Sequence, residues 1–177
     1  MQAIDWRLII EKHGPVVWQT AYRLLGNYTD AADCFQETFV SALEFCRRQR
    51  VRNFGGLLAH LATARGIDRL RQRSHQASFN TAGGELTTVP GENPGPGQQA
   101  EQEELADRLR DALSELAPQE AEVFCLRYLN DMSYRQIAKE LRIKTNTAGV
   151  LLHRARVKLR EHLEPAIQNS DRNEVRI

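Results

Sequence analysis

Strand signals are nearly absent from these 177 residues, since no run of alternating β-branched and polar residues is flanked by hairpin turns. Sandwich, barrel and mixed-sheet folds are thereby excluded. Cysteine is scarce and odd in number: Cys34, Cys46 and Cys125 stand far apart, each inside a helical pattern. No pair has metal-ligand spacing and an odd set gives no disulfide framework, so buried free thiols and no metal are expected. No run approaches the ~18 apolar residues of a membrane-spanning helix, and the opening MQAIDWRLIIEKHG lacks a signal-peptide profile. A cytoplasmic protein without membrane insertion is expected. Catalytic signatures are missing as well. His13, His60, His75, His153 and His162 are scattered, with no His-x-x-x-His pair, phosphate-cradling Gly loop or clustered acid pair. No catalytic residue, cofactor or small-molecule substrate is assigned.

What the chain does have is helical periodicity and segregated charge. The net charge of +1 conceals two basic blocks. Residues 47–73 hold eight Arg against Asp68, and residues 135–160 hold eight Lys or Arg against Glu140. Between them, residues 101–122 carry eight acids against Arg108 and Arg110. Two separate basic blocks point to two contacts with a polyanion, while the acidic stretch faces solvent or a protein.

The spacing predicts an all-α chain. Residues 3–12 read as a first helix broken by Gly14-Pro15, and 15–25 as a second stopped by Gly26. Asp30 opens a third, whose stripe is Ala32, Phe35, Phe39, Ala42 and Cys46. Asn53 caps a fourth from Phe54 to about Arg73, weakened by Gly55, Gly56 and Gly66. Residues 78–100 are rich in Gly and Pro and free of Lys and Arg, which marks a flexible linker. Two small helical domains, 1–77 and 101–177, are therefore expected. The second opens with Leu105, Leu109, Ala112, Leu113 and Leu116 on one helix and Pro118 at the start of the next.

Residues 132–160 are the most informative stretch, because they read as a helix-turn-helix. Ser133 with Gln136 forms a capping box, and Ile137, Ala138 and Leu141 give the short helix an inward face. Arg142, Ile143 and Lys144 fit the turn, with Thr145 or Asn146 as cap of the second helix. There Ala148, Leu152, Ala155 and Leu159 make a core stripe, leaving Arg154 and Lys158 for solvent or phosphate.

Two blocks carry a family resemblance: AYRLLGNYTDAADCFQETFVSAL with LLAHLATARGIDRLRQR, and LRDALSELAPQEAEVFCLRYLNDMSYRQIAKEL with HRARVKLREHL. In this order, flanking a variable linker, they resemble the extracytoplasmic-function class of bacterial sigma factors. The resemblance implies a cytoplasmic initiation factor that binds core RNA polymerase and promoter DNA, with an anti-sigma partner. It implies that Asp33, Gln36, Glu37, Phe39 and Val40 meet the polymerase. It assigns Arg65, Asp68, Arg69, Arg71 and Arg73 to the downstream promoter element, and the helix-turn-helix to the upstream one. Within the latter, base readout falls to Lys144, Asn146, Thr147, Val150, His153 and Arg154, with Arg154, Arg156 and Lys158 on phosphates.

The chain departs from the family pattern at five positions. Leu57 replaces the usual tryptophan, Ala64 the usual asparagine, Gly149 and Leu151 two usual basic residues, and Arg142 a frequent glycine. These departures keep open a degenerate sigma-like regulator that holds polymerase or an anti-sigma factor but reads promoters weakly. A dimeric repressor or activator is the other alternative, disfavoured by the acidic third helix followed by a basic fourth.

Overall fold

The computed structural model describes the backbone of residues 4–81 and 98–174 and the side chains of 4–77 and 102–164. The stretch expected to be a linker lies mostly outside the described residues. Among these, seven helices form and no strand: α1 Trp6–Leu25, α2 Tyr28–Arg48, α3 Phe54–Thr81, α4 Gln98–Glu115, α5 Pro118–Tyr128, α6 Tyr134–Glu140 and α7 Thr145–Glu174. The fold is all-α, as the periodicity predicts.

Local signals set most boundaries. Asp5 accepts from the backbone N–H groups of Arg7 and Leu8 at the start of α1, and Gly26 ends it in a left-handed conformation. Pro118 stands in the first turn of α5, where its missing N–H costs nothing. Ser133 and Gln136 close the expected capping box on α6.

Three expectations need correcting. Gly14-Pro15 does not divide the first helix, because α1 runs through Pro15. Gly14 is buried where an added Cβ would meet Phe35 at 3.6 Å, so packing on α2 holds both halves in one rod. The second helix is capped by Asn27, whose side chain accepts from the Asp30 N–H, so Asp30 lies in its first turn. Its buried stripe is Ala31, Cys34, Thr38 and Ala42, with Phe35 and Phe39 only partly covered and Ala32 off the line. Finally, Thr145 and Asn146 do not precede α7 as caps. They lie inside it, and its Ala148 N–H already donates to Lys144 O.

Helix α3 decides how the halves meet. It packs on α1 and α2 and also on α4, α5 and α6. Leu58 and Ala62 join Val17 and Ala42 in a cluster internal to the first half. Ala59 joins Val123, Leu126, Met132 and Ile137, while Ile67 and Leu70 join Leu24, Leu113, Leu116, Cys125 and Leu159. The two segments therefore share a core. Polar ties cross the same boundary. Asn130 Oδ1 lies 3.0 Å from the Thr20 hydroxyl and Asn130 Nδ2 3.5 Å from that of Thr63. The Arg110 guanidinium donates to Arg23 O at the end of α1, at 3.3 Å. Burial raises the thiols of Cys34 and Cys125, to about 11 and about 12, so both stay protonated.

Two outcomes follow. Leu116 is fully buried in the shared cluster, so Leu116→Ala should cost ~2–5 kcal/mol in a urea titration. The loss should appear in one cooperative transition for both halves, and a shift confined to one of two separate transitions would contradict the shared core. His162 ties α7 to α4: Nδ1 lies 2.8 Å from Lys158 O and Nε2 2.7 Å from Glu115 Oε2. The backbone bond first, and then Glu115, raise its pKa. A raised folded value means stability present below the ordinary histidine range and lost as pH rises through it. Stability of His162→Ala should thus fall further behind the parent at pH 5 than at pH 8.

Candidate nucleic-acid and partner interfaces

The first surface lies along α2 and α3. Asp33, Gln36, Glu37 and Val40 are exposed on one face of α2, since the buried stripe occupies the other. Phe39, grouped with them by the family resemblance, instead turns inward. Its ring centroid lies 4.9 Å from that of Phe35, and it packs on Leu58 and Ala62, so its weight is structural. Val40, Ser41 and Glu44 of α2 face Arg65, Asp68 and Gln72 of α3 across a groove of about 420 Å³.

The basic ridge expected on α3 is present but not free. Arg69 Nη2 lies 2.7 Å from Glu37 Oε1, and Nη1 lies 3.6 Å from both Asp30 and Asp33. Its Nε is buried without a hydrogen-bond partner. Arg73 pairs with Asp30 and donates to Leu25 O at 2.9 Å. Arg65 donates to Ser41 Oγ at 3.1 Å. Arg71 is half-buried and Asp68 exposed. The acids assigned to polymerase and the arginines assigned to DNA are thus each other's partners. Any phosphate approaching Arg69 must compete with three carboxylates. Ala64 is half-buried, and Leu57, where the family carries tryptophan, is buried at the boundary with α6.

The second surface is the helix-turn-helix. Ala148, Leu152, Ala155 and Leu159 are all buried, as the spacing predicts. That orientation leaves Lys144, Asn146, Thr147, Val150, His153, Arg154 and Arg156 exposed. The residues expected to read base edges, and Arg154 and Arg156 of those expected on phosphates, are therefore open to solvent. Leu151 is not among them: it is half-buried and packs against the cluster that holds Val123, Ile137 and Leu152. A Cβ on Gly149 would meet nothing within 4 Å, so a long basic side chain fits there without rearrangement.

Sequence reasoning missed two functional constraints. Lys158, expected on phosphate, lies 2.7 Å from the buried Glu120 of α5 and neutralises it. The partners are 38 positions apart, and no local pattern connects them. Arg142 holds φ 54°, a left-handed conformation that costs a non-glycine residue energy. Its guanidinium donates to Gln49 Oε1 of the other half at 2.8 Å. The frequent glycine of the family signals the backbone requirement, but not that contact.

Since Gly149 opens on solvent, Gly149→Lys should gain ~1 kcal/mol of helix stability. It should also tighten binding to duplex DNA of any sequence and raise the salt slope by roughly one, whereas Arg154→Ala should lower that slope by roughly one. Salt titrations that leave both slopes unchanged would contradict a phosphate-contacting role for this face.

Residues 9–76 match the sigma-70 region 2 family and residues 106–159 the sigma-70 region 4 family. The chain is similar to the ECF RNA polymerase sigma factor SigE of Mycolicibacterium smegmatis, 30% identical over 159 residues. That match covers 90% of this chain but 62% of the relative, so the chain spans under two thirds of its length. With the ECF RNA polymerase sigma factor SigW of Bacillus subtilis it is 28% identical over 162 residues, 88% of this chain and 87% of that one. Two solved structures share the fold. One is the sigma factor RpoE of Bartonella quintana in complex with the anti-sigma factor NepR, with a TM-score of 0.56 and 20% identity, covering 90% of this chain and 97% of that chain. The other is CnrH in complex with the cytosolic domain of CnrY, with a TM-score of 0.58 and 22% identity, covering 90% and 88%. Region 2 and region 4 matches in this order together span more than half of the chain, and on them it belongs to the sigma-70 family.

Proposed function

We propose that the chain is a sigma factor that binds core RNA polymerase and directs it to particular promoters, in the cytoplasm and without catalysis or a cofactor of its own. One observation carries this reading. A helix-turn-helix with an open base-reading face is joined in one chain to a unit whose α2 presents Asp33, Gln36, Glu37 and Val40 to solvent. Acids and an amide on a mildly apolar helix suit a protein partner and repel DNA. Promoter DNA then meets Lys144, Asn146, Thr147, Val150, His153 and Arg154 through base edges, and Arg154 and Arg156 through phosphates. A protein regulator that covers the chain is part of the proposal, since the RpoE of similar fold is held by the anti-sigma factor NepR.

A second reading has its own support. Gly149 leaves a gap in the reading face, and Arg69 and Arg73 are tied to acids, which favours a regulator that holds polymerase yet reads promoters weakly. Run-off transcription with purified core polymerase and a genomic promoter library separates the two. Discrete transcripts support the first reading, core binding without transcripts the second, and absence of both contradicts each. Replacing Asp33, Gln36 and Glu37 together by Ala should weaken core binding at least ten-fold while helicity is kept. Unchanged affinity in a pull-down would remove this face from the polymerase contact.

A further inference from the structure

A cleft of about 510 Å³ opens where the loop between α2 and α3 meets the turn of the helix-turn-helix. Arg50 and Arg52 enter it from the first half of the chain, and Lys139 and Arg142 from the second. No carboxylate lies within ion-pair distance of any of these four cations among the described residues. Glu140 is the acid that lines the cleft, and it accepts from Asn53 Nδ2, also of the cleft, at 3.3 Å, so four cations share this space with one carboxylate. The floor is apolar, with Leu57 buried and Phe45 half-buried beneath the charged rim.

The four exposed cations repel one another across the contact between the halves, and Glu140 offsets only part of their charge in the cleft. Its size and its make-up, apolar floor and a few convergent polar groups at a domain boundary, are those of small-ligand sites. Arginine forks and a lysine at a rim match phosphate oxygens, and the apolar floor matches a planar base. We propose that this cleft binds a nucleoside di- or triphosphate, with the phosphates between the cations of both halves and the base against Leu57 and Phe45. Because the cations come from both halves, the ligand holds α6 against the loop between α2 and α3. By linkage, whatever separates the halves must weaken ligand binding, and the ligand must oppose that separation. The site is independent of the promoter-reading face on α7 and does not rest on the function proposed above.

Calorimetric titration of the full chain with ATP, GTP, inorganic pyrophosphate and a short single-stranded oligonucleotide tests this. Saturable one-site binding of the nucleotides with Kd below about 1 mM is expected, with a rise in Tm at saturating ligand. Arg50→Ala in the loop and Arg142→Gly in the turn should each weaken it roughly ten-fold or more, and Arg108→Ala on α4 should not. Arg142→Gly relieves the left-handed residue while losing an exposed hydrogen bond to Gln49, so a Tm near the parent's without ligand is expected, which separates lost binding from lost structure. Pyrophosphate binding as tightly as the nucleotides would remove the base from the proposal. Three results would overturn it: no saturable nucleotide binding, equal weakening by Arg108→Ala, or binding of the oligonucleotide alone, which would make the cleft a DNA surface.

Discussion

Helix α3 must be covered on more than one side at once, and the rest of the molecule follows from how it manages this. It touches α1, α2, α4, α5 and α6, and the residues that let five helices approach are small: Gly56, Ala59, Ala62, Thr63 and Gly66. A Cβ at Gly66 would lie 2.6 Å from Leu24 Cδ1, and one at Gly56 would run into Glu140 and Asn53. Each glycine costs a helix ~1 kcal/mol against alanine, and here that cost is offset by close packing of neighbours that a larger residue would push away. Propensity alone reads these glycines as weakness; the tertiary arrangement needs them. Because α3 is shared, Asn130 can reach Thr20 and Thr63, and the cleft between Arg50 and Arg142 exists at all.

The second organising feature is that the acids of α2 cancel charge on α3, whereas Arg154, Arg156 and Arg160 of α7 have no carboxylate within ion-pair distance among the described residues. Three carboxylates surround Arg69, and Asp30 takes Arg73 as well. A row of arginines that looks like a polyanion site in sequence is close to neutral once α2 is laid beside it. The open positive surfaces are the exposed face of α7, with Arg154, Arg156 and Arg160, and the rim of the interdomain cleft. Electrostatic steering of a polyanion would therefore fall on α7. Under the function proposed above, a partner that draws Asp33 and Glu37 away from Arg69 would expose the arginine and so couple polymerase binding to a downstream DNA contact.

Much of the second half was legible from residue order. The stripe Ala148, Leu152, Ala155 and Leu159 and the capping box of Ser133 and Gln136 are local signals, and both stand as read. Local reasoning failed where distant packing decides. Pro15 sits inside a continuous helix because Gly14 is clasped by Phe35. The stripe on α2 starts at Ala31, not Ala32, and runs through Cys34 and Thr38, whose side chains donate to Ala62 O of α3 and to Cys34 O. Phe39 looked available for a partner and is packed, while Lys158 looked free for phosphate and is held by Glu120. The roles of Asn130 and Arg110 leave no trace in spacing, since their partners lie 67 to 110 positions away and are set only by the fold.

The central claim is that both halves of the free chain close around α3 as one body. Nuclear Overhauser spectroscopy on the free chain, without any substitution, tests it most directly. Cross-peaks from the Asn130 side-chain amide protons to the methyl groups of Thr20 and Thr63 are predicted, because those side chains meet across the boundary at 3.0 and 3.5 Å. Cross-peaks from Asn130 only to residues of its own half, with Thr63 contacting only α1 and α2, would contradict the account.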